Sequence, residues 1–444
     1  MAARLEGSAL VLVALLAAGC DPTPPATAFG AYTLADGRIL SLRERRAGGI
    51  RLTLYDTGET ASLVEEGGAW RPPAERRVED ALTGLALTVL ADGLRLRWRD
   101  GTESEAVHVP LDVRNLALPV GDIDLHVRLE LPVGAQSVPV VVIVHGSGDD
   151  AATRYYHQGD YFAANGLGVV VFDKRGTGGS GGTYGHDLHR LADDVVAVVE
   201  WVAAQPGVDA ARIGLSGYSQ GGWIAPLAAS RSEHVAFVIV NYGMIDSPYE
   251  EARLETRDMV ARRGFSGADL DKVDEVTHAT IAVLESGFET GWEELDAVVA
   301  RYSNEPWLQA MSGTTFDEVT AWPHWLVRLV GPWVTPGGLP WHYDSRAALD
   351  QLASRGVPSV WLLADQDRSA PNAFTLDELA RRIGAGEPVQ VRVFPGTDHG
   401  IVQFVDAGGE RTFGNFFPDY LRAQVERARR LAGIADDRPM ETSR

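Results

Sequence analysis

The residue best suited to covalent chemistry in this 444-residue sequence is Ser219, at the centre of GYSQG (217–221). The segment matches the pattern G-x-S-x-G and stands between a strand-like apolar run, RIGLSG (212–217), and a helical stretch. A turn that passes directly from strand to helix leaves little space around its backbone, which explains Gly217 and Gly221. Because such a turn exposes its central side chain, we predict that Ser219 is a nucleophile.

A serine hydroxyl needs a base that takes its proton, and the base needs an acid that orients it. His399 follows the last strand-like run, in VQVRVFPGTDHG (389–400), and we predict that it is the base. The preceding run ends with two candidate acids, Asp365 and Asp367. Asp398 adjoins His399, but neighbouring side chains in a loop seldom point the same way, so we do not choose it as the acid.

Attack on a carbonyl also needs hydrogen-bond donors for the oxyanion that forms. One should be the backbone N–H of Gln220, directly after the nucleophile and at the N-terminus of a helix. By analogy with H-G-x loops, we expect the other to be the N–H of Ser147, with Gly146 or Gly148 as alternatives. We expect His145 to anchor this loop rather than to take part in chemistry.

The elements that must position these residues begin near residue 122, with continuous apolar runs that are typical of strands buried on both faces of a parallel sheet. Two such runs are VPVVVIV (138–144) and GVVVF (168–172), and the series is extended by RIGLSG (212–217), VAFVIVN (235–241), VPSVWLLA (357–364) and VQVRVF (389–394). Amphipathic helical patterns separate several of them, as in LHRLADDVVAVVEWVAAQ (188–205). The alternation predicts a doubly wound, mostly parallel α/β sheet over 116–245 and 346–435.

Residues 29–115 show a different pattern, with short alternating segments such as GIRLTLYDTG (49–58) broken by Gly and Asp. The sequence LADG occurs at 34–37 and again at 90–93, where it is typical of hairpin turns. We predict a small antiparallel β domain with a structural or accessory role.

The strand–helix alternation is interrupted over 246–345, where helix-start patterns at Ser266, Thr290 and Thr315 predict a helical insertion. The insertion carries six of the eleven tryptophans: Trp292, Trp307, Trp322, Trp325, Trp333 and Trp341. We predict that it is a lid, that most of these tryptophans form its core, and that one or two line an apolar substrate pocket.

Charge and motifs exclude several classes of function. The formal net charge of −21 argues against binding nucleic acid, which depends on clustered Lys and Arg. GTGGSG (176–181) matches a dinucleotide-binding pattern, but Asp173, Lys174 and Arg175 separate it from the preceding strand. The sequence has no H-E-x-x-H, no cysteine pair and no EF-hand loop. We therefore predict neither a cofactor nor a metal ion.

The N-terminus carries a short apolar run, SALVLVALLAA (8–18), which is typical of a signal peptide. Cys20 is the only cysteine, so no intrachain disulfide is possible. LLAAGC resembles a bacterial lipobox, which implies a signal peptide over 1–20, lipidation of Cys20 and a Pro-rich tether over 21–28. An ordinary cleaved signal peptide with an incidental cysteine is the alternative.

Four segments together resemble bacterial esterases of the α/β-hydrolase superfamily, near its serine aminopeptidase-like and dienelactone-hydrolase-like branches. They are VHGSG (144–148), FDKRGTGGSGG (172–182), IGLSGYSQGGWIAPLAA (213–229) and FPGTDHG (394–400). The resemblance covers roughly 122–430, and in this family a small residue and two spacers usually precede the acid. Ala364 and Asp367 fit that frame, so the resemblance favours Asp367 over Asp365. The sequence departs from the family at Ala364, where glycine is usual, and at 368–371, where Val-Pro is usual after the acid.

The resemblance implies hydrolysis of an acyl bond through an acyl-enzyme, and we expect small-molecule carboxylic esters as substrates, in a protein anchored at the bacterial cell envelope. A peptidase of the same fold is the alternative, with Glu250, Glu251 and Glu255 available to bind a free amino terminus. The third interpretation is a non-catalytic binding protein of the cell envelope that retains the fold.

Overall fold

The chain folds into two compact units that meet in sequence between Val109 and Pro110. The computed structural model describes residues 24–73, 79–335, 337–407 and 410–434. Each unit has a hydrophobic core of its own, as expected of separate domains.

The first unit is a closed barrel of eight antiparallel strands. The strands are β1 (Gly30–Leu34), β2 (Ile39–Glu44), β3 (Ile50–Leu54), β4 (Thr60–Glu66), β5 (Ala69–Arg71), β6 (Ala86–Val89), β7 (Gly93–Arg97) and β8 (Glu103–His108). Leu40, Leu52 and Leu94 are among the buried residues of its core. The antiparallel β domain expected from the sequence is confirmed, and pairing of β8 with β1 closes it into a barrel.

The second unit begins earlier than the sequence suggested. Residues 111–115 were expected to end the β domain, but they belong to β9 (Leu111–Val120). This strand pairs along its whole length with β10 (Ile123–Pro132) in the sheet of the second unit. The boundary therefore lies at 109/110 because backbone pairing assigns these residues to the second unit.

The second unit is built on an eight-stranded sheet in the order β16-β15-β14-β13-β11-β12-β10-β9. The remaining strands are β11 (Val138–Val144), β12 (Gly168–Phe172), β13 (Val208–Tyr218), β14 (Val235–Asn241), β15 (Ser359–Ala364) and β16 (Val389–Phe394). These six strands are parallel, and β10 pairs antiparallel with β12. Burial on both faces explains why β11, β12, β14 and β15 are continuous apolar runs rather than alternating ones. β16, at the edge of the sheet, is only partly buried, and its apolar residues alternate with Gln390 and Arg392.

Helices cover the two faces of this sheet. They are α1 (Ala152–Tyr155), α2 (Gln158–Ala164), α3 (Leu188–Ala203), α4 (Gly221–Arg231), α11 (Arg346–Ser354), α12 (Ala373–Gly384) and α13 (Tyr420–Leu431), with six more described below. The chain moves from β11 to β12 in one direction and from β12 to β13 in the other, so right-handed crossovers place α2 and α3 on opposite faces. Contacts of α4 with α3 and α11, and of α13 with α2, agree with this arrangement.

The segment 246–345 between β14 and β15 is helical, as its sequence predicted. Its helices are α5 (Pro248–Arg262), α6 (Ala268–Glu285), α7 (Trp292–Arg301), α8 (Pro306–Gln309), α9 (Thr315–Thr320) and α10 (His324–Val334). The N-cap residues of α6, α7 and α9 are Gly267, Gly291 and Thr314, each adjacent to the residue that the capping pattern marked.

A small three-stranded sheet, which the sequence did not predict, follows β16. It consists of β17 (Thr397–Asp398), β18 (Val402–Ala407) and β19 (Glu410–Phe416). Arg411 on β19 stacks on the ring of Phe404 and donates to the carboxylate of Asp398 over 2.5 Å. The sheet thus holds the residue that immediately precedes His399.

Candidate active site

Ser219 lies between the end of β13 and the start of α4, with a left-handed backbone φ of 53°. Such a conformation costs a non-glycine residue about 1–3 kcal/mol and persists only where its surroundings enforce it. A Cβ atom on Gly217 would lie 2.2 Å from the carbonyl oxygen of Gly221. One on Gly221 would lie 2.0 Å from the carbonyl oxygen of Val144. The two glycines are therefore required by close backbone contacts around the serine.

His399 joins Ser219 to Asp367. Its Nε2 lies 3.0 Å from the Ser219 hydroxyl oxygen, and its Nδ1 lies 3.1 and 3.0 Å from the two carboxylate oxygens of Asp367. With the proton on Nδ1 donated to Asp367, the lone pair on Nε2 can accept the serine proton. The three residues follow different strands and are brought together only by the sheet.

The two candidate acids have different partners. Asp367 contacts His399 and also accepts backbone N–H groups from Ser369 at 3.1 Å and Ala370 at 2.8 Å. Asp365 instead accepts the backbone N–H of Thr397 at 3.0 Å. Of the two candidates, Asp367 is the one whose carboxylate contacts the imidazole, whereas Asp365 links two loops.

Asp398, the neighbour of His399, does not contact the imidazole, because its carboxylate binds other groups. Its carboxylate accepts the backbone N–H groups of Arg368 at 2.9 Å and His399 at 2.7 Å, and the guanidinium of Arg411. These bonds fix the loop that carries the imidazole.

The charge state of His399 is set by opposing effects. Burial lowers its pKa, but the hydrogen bond to Asp367 and the charges of Asp367, Glu251 and Asp398 outweigh burial and raise the pKa above 6.5. A raised pKa means that the surroundings favour the imidazolium, which is the form that appears after the base has taken a proton.

Both predicted oxyanion donors border the same cavity as the serine. Ser147, Gln220, Ser219 and His399 are among the residues lining this space of about 380 Å³, which we call the serine cavity. Gln220 is the N-cap residue of α4, so its N–H lies at the positive end of the helix dipole. A Cβ on Gly146 would lie 3.2 Å from that of Ser219, so the loop passes close to this serine.

His145 is buried beneath that loop. Its ring packs against Tyr156 and Phe172, with centroids at 5.2 and 6.2 Å. Burial, followed by the charge of Lys174, lowers its pKa well below the usual 6.5. A neutral, enclosed imidazole agrees with the anchoring role expected from the sequence.

His186 is a wall residue of the serine cavity that sequence reasoning missed. It stands in the loop before α3, and its Nδ1 accepts the side-chain N–H of Gln220 at 2.9 Å. Burial, together with the charge of Lys174, lowers its pKa to about 4, so the ring is neutral. No sequence pattern marks His186, and its place in the cavity wall depends on the packing of this loop against the start of α4.

Two of the three acids noted at the start of the insertion reach the serine cavity. Glu251 and Glu255 lie one turn apart on α5 and both line it, whereas Glu250 pairs with Arg253 at 2.6 Å. Burial raises the pKa of Glu251 to about 8 and also raises that of Glu255. Ion pairs of Glu251 or Glu255 with Lys or Arg are absent from the described part of the chain.

The insertion contributes a second cavity of about 440 Å³, which shares four wall residues with the first: His186, Glu251, Glu255 and Leu339.

Half of the six tryptophans of the insertion are buried and half are exposed. Trp292, Trp307 and Trp341 are buried, whereas Trp322, Trp325 and Trp333 are 57%, 68% and 88% exposed. The expectation that most of them form its core was therefore too broad, although Trp341 does line the second cavity.

The glycine-rich segment 176–181 wraps around Asp173. A Cβ on Gly178 would lie 2.1 Å from the Asp173 carboxylate, which accepts the N–H of Gly179 at 2.9 Å. Ser180 donates to the backbone carbonyl of Asp173 at 2.6 Å. The glycines thus serve a tight turn in this chain.

Three features concern the chain beyond the active site. No group of side chains arranged to hold a metal ion occurs among the residues that the structure describes. Within the same ranges, no helix is long and apolar enough to cross a membrane. Cys20 and the apolar run 8–18 lie outside the described residues.

Comparison with known proteins adds relatives for part of the chain. Residues 121–328 match the X-Pro dipeptidyl-peptidase (S15) family. A bifunctional esterase/perhydrolase of Acinetobacter calcoaceticus is 38% identical over 93 residues, which are 20% of this chain and 30% of that protein. A thiohydrolase of Aspergillus aculeatus is 29% identical over 129 residues, 29% of this chain and 41% of that one. The chain thus spans less than half the length of these curated relatives.

Among solved structures, a puromycin-hydrolyzing peptidase of Mycobacterium tuberculosis aligns with a TM-score of 0.46 at 15% identity, over 94% of this chain and 56% of that chain. The topology of the second unit identifies its fold. The turn that carries Ser219 joins a central parallel strand to a helix, and Asp367 and His399 follow later strands. The chain has the α/β-hydrolase fold. The fold class predicted from the sequence is confirmed.

The S15 match of this α/β hydrolase includes the serine turn and most of the helical insertion. It ends before Asp367 and His399, so the positions of these two residues rest on the geometry of the site.

Proposed function

We propose that this α/β hydrolase is a serine hydrolase that cleaves small carboxylic esters through an acyl-enzyme. The observation that carries the proposal is the continuous contact from Asp367 through His399 to Ser219, at 3.0 Å on each side of the imidazole. The similarity to an esterase/perhydrolase and to the S15 family supports hydrolytic chemistry at a carbonyl group.

In the proposed reaction, Ser219 Oγ attacks the acyl carbonyl while His399 Nε2 takes the hydroxyl proton. The N–H groups of Gln220 and Ser147 hold the resulting oxyanion. When the C–O bond to the leaving alcohol breaks, His399 returns the proton to that alcohol and leaves Ser219 acylated. Water, deprotonated by His399, then attacks the carbonyl of the acyl-enzyme. When the C–O bond to Ser219 breaks, His399 returns the proton to Ser219 Oγ and the carboxylic acid leaves, while Asp367 stabilises the imidazolium at each step.

Labelling with a fluorophosphonate probe tests the proposal, since the probe reacts with an activated serine. We expect wild type to be labelled and to hydrolyse short-chain aryl esters, and Ser219→Ala to do neither. Ser216→Ala is the matched control, because Ser216 is buried and its Oγ accepts from the side chain of Asn241 at 3.1 Å. A folded wild type without labelling would contradict the proposal and favour the binding-protein reading.

A peptidase that acts on a free amino terminus is the second candidate, and the positions of Glu251 and Glu255 favour it. Two carboxyl groups of raised pKa border the serine cavity, so a substrate ammonium entering there would stabilise their ionised forms. The match to the S15 family also supports this candidate, because that family is described as X-Pro dipeptidyl-peptidase.

Matched substrates separate the two candidates. An aminoacyl anilide with a free ammonium, compared with its N-acetyl form, measures recognition of the charge directly. For a peptidase, we expect the preference for the free ammonium to fall at least about tenfold in the double variant Glu251→Gln/Glu255→Gln. A tenfold fall corresponds to the loss of at least one charge-assisted contact with the ammonium. Equal hydrolysis of the two anilides, or of neither, would exclude the second candidate.

We also propose export and lipid anchoring through Cys20 at a bacterial cell envelope, on the basis of the apolar run and the LLAAGC segment. In a bacterial host, the wild-type chain should incorporate labelled palmitate and sediment with membranes. A Cys20→Ser variant that behaves identically would contradict this proposal.

A further inference from the structure

A lysine that the proposed mechanism does not use lies directly behind the oxyanion loop. Lys174 follows β12 and is only 3% exposed. Its Nζ donates to the backbone carbonyl of Gly146 at 2.5 Å and to the side-chain oxygen of Gln220 at 3.1 Å. Within the described ranges no carboxylate forms an ion pair with it, so its partners are two neutral acceptors.

The first of these acceptors belongs to the peptide group that carries a predicted oxyanion donor. The carbonyl of Gly146 and the N–H of Ser147 are parts of one peptide unit. No cis peptide bond occurs among the described residues, and in a trans peptide the C=O and N–H point in opposite directions. By holding the carbonyl on one side, Lys174 directs the N–H of Ser147 to the other side. Ser147 lines the serine cavity, as does Ser219.

The second acceptor belongs to the residue that carries the other donor. Lys174 holds the side-chain oxygen of Gln220, and the side-chain nitrogen of Gln220 donates to His186 at 2.9 Å. The Gln220 side chain is therefore fixed at both ends, and its backbone begins α4 directly after the nucleophile. One ammonium group thus contacts both residues whose N–H groups would hold the oxyanion.

We propose that Lys174 is a positioning residue for acyl transfer, which orients the N–H donors of Ser147 and Gln220 toward the oxyanion; this inference rests on the hydrolase function proposed above. Lys174 does not touch the substrate. It acts through the two donor residues, so its removal should weaken the transition state more than the binding of the ester.

The surroundings of Lys174 add an electrostatic contribution. Burial lowers its pKa to about 7, and its charge in turn lowers the pKa of both His145 and His186. In its protonated form the group is a positive charge behind the oxyanion donors, in a site with little water to screen it.

The test compares Lys174→Met, which keeps the length of the side chain but donates no hydrogen bond, with wild type on a short-chain aryl ester. Titration with the fluorophosphonate gives the number of active sites. We expect kcat per active site to fall about 10- to 100-fold, less than removal of a donor itself, and KM to change less than about threefold. A trifluoromethyl ketone, which forms an oxyanion with the serine, should bind more weakly by a factor similar to the loss in kcat.

Arg175→Met is the matched control. Arg175 is the next residue and is also buried, and its Nε donates to Asp194 at 2.7 Å, away from the oxyanion loop. We expect this variant to lower the melting temperature while leaving kcat per active site unchanged. The same pattern in Lys174→Met, with kcat and ketone affinity within about twofold of wild type, would overturn the inference. If Lys174→Met does not fold, Lys174→Gln carries the same test, because its amide fills the space without a charge.

The two proposals fail in different ways. Absence of labelling and ester hydrolysis in wild type contradicts the hydrolase function before any lysine variant is made. An active wild type with unaffected Lys174 variants contradicts only the positioning role.

Discussion

Asp365 and Asp367 are separated by a single residue, yet their carboxylates have different partners. Asp367 contacts the imidazole of His399, while Asp365 accepts a backbone N–H from Thr397. At the scale of single residues, this difference turns an ambiguous pattern into a testable assignment.

Asp367→Asn should lower kcat about 10⁴-fold, because an amide donor opposite Nδ1 favours the wrong tautomer of His399. Asp365→Asn is the matched control and should keep kcat near that of wild type, since Asp365 contacts the backbone of Thr397 and not the imidazole. Steady-state kinetics on an aryl ester measure both. A larger loss in the Asp365 variant would reverse the assignment.

Glu251 should influence the pH dependence of hydrolysis. The base must be neutral to act, so activity is lost as pH falls through the pKa of His399. Against burial, this pKa is raised above 6.5 by the hydrogen bond and charge of Asp367 first and then by the charge of Glu251. Burial raises the pKa of Glu251 to about 8, so only a fraction of this carboxyl group is ionised in the range where the imidazole titrates. Glu251→Gln removes that fraction of a charge, so the acid limb of kcat should move to lower pH by a small amount.

Glu250→Gln is the control for this shift, because Glu250 lies next in sequence but pairs with Arg253. Its pH profile should match that of wild type. An unchanged or upward-shifted acid limb in Glu251→Gln would show that Glu251 does not act on the base.

At the scale of elements, the strand–helix turn depends on how closely three segments approach one another. The backbone of Gly221 lies against the carbonyl of Val144 at the end of β11, and Gly217 at the end of β13 lies against Gly221 itself. No side chain fits at either glycine without moving a strand or the start of α4.

Gly221→Ala should therefore displace the nucleophile, with a loss of stability of about 1–3 kcal/mol or more and loss of fluorophosphonate labelling. Gly384→Ala is the matched control, because a Cβ at this last residue of α12 meets no atom within 4 Å and its backbone φ is not left-handed. It should change stability by less than about 1 kcal/mol. Chemical denaturation and probe labelling give the two readouts, and retained labelling in Gly221→Ala would contradict the steric argument.

At the scale of the whole molecule, the residues of the active site all belong to the second unit, whereas the barrel has a core of its own. Leu52 is fully buried in the barrel, and Leu215 is fully buried in β13, four residues before the nucleophile. The same substitution at the two positions therefore separates the stability of the two units.

Leu52→Ala and Leu215→Ala should each cost their own unit about 2–5 kcal/mol, because each leaves a cavity in a packed core. Labelling of Ser219 measured against temperature reports on the second unit alone. We expect the temperature at which labelling is lost to fall in Leu215→Ala and to stay unchanged in Leu52→Ala. An equal fall in both variants would mean that the two units unfold together.

The sequence by itself determined the features that local patterns encode. Apolar runs located the six parallel strands, most clearly β11 and β12, where burial on both faces leaves no polar position. The glycines around Ser219 marked a turn with no space for side chains. The order of serine, acid and histidine along the chain followed from the same patterns.

Only the tertiary structure decided which side chains meet. Ser219 and His399 are 180 residues apart, and Lys174 and Gly146 are 28 apart. The choice of Asp367, the entry of His186 and Glu251 into the serine cavity, and the pairing of β1 with β8 likewise depend on contacts between distant segments. Such contacts are set by strand order and loop packing, which are collective properties of the folded chain, and no local pattern of residue types records them.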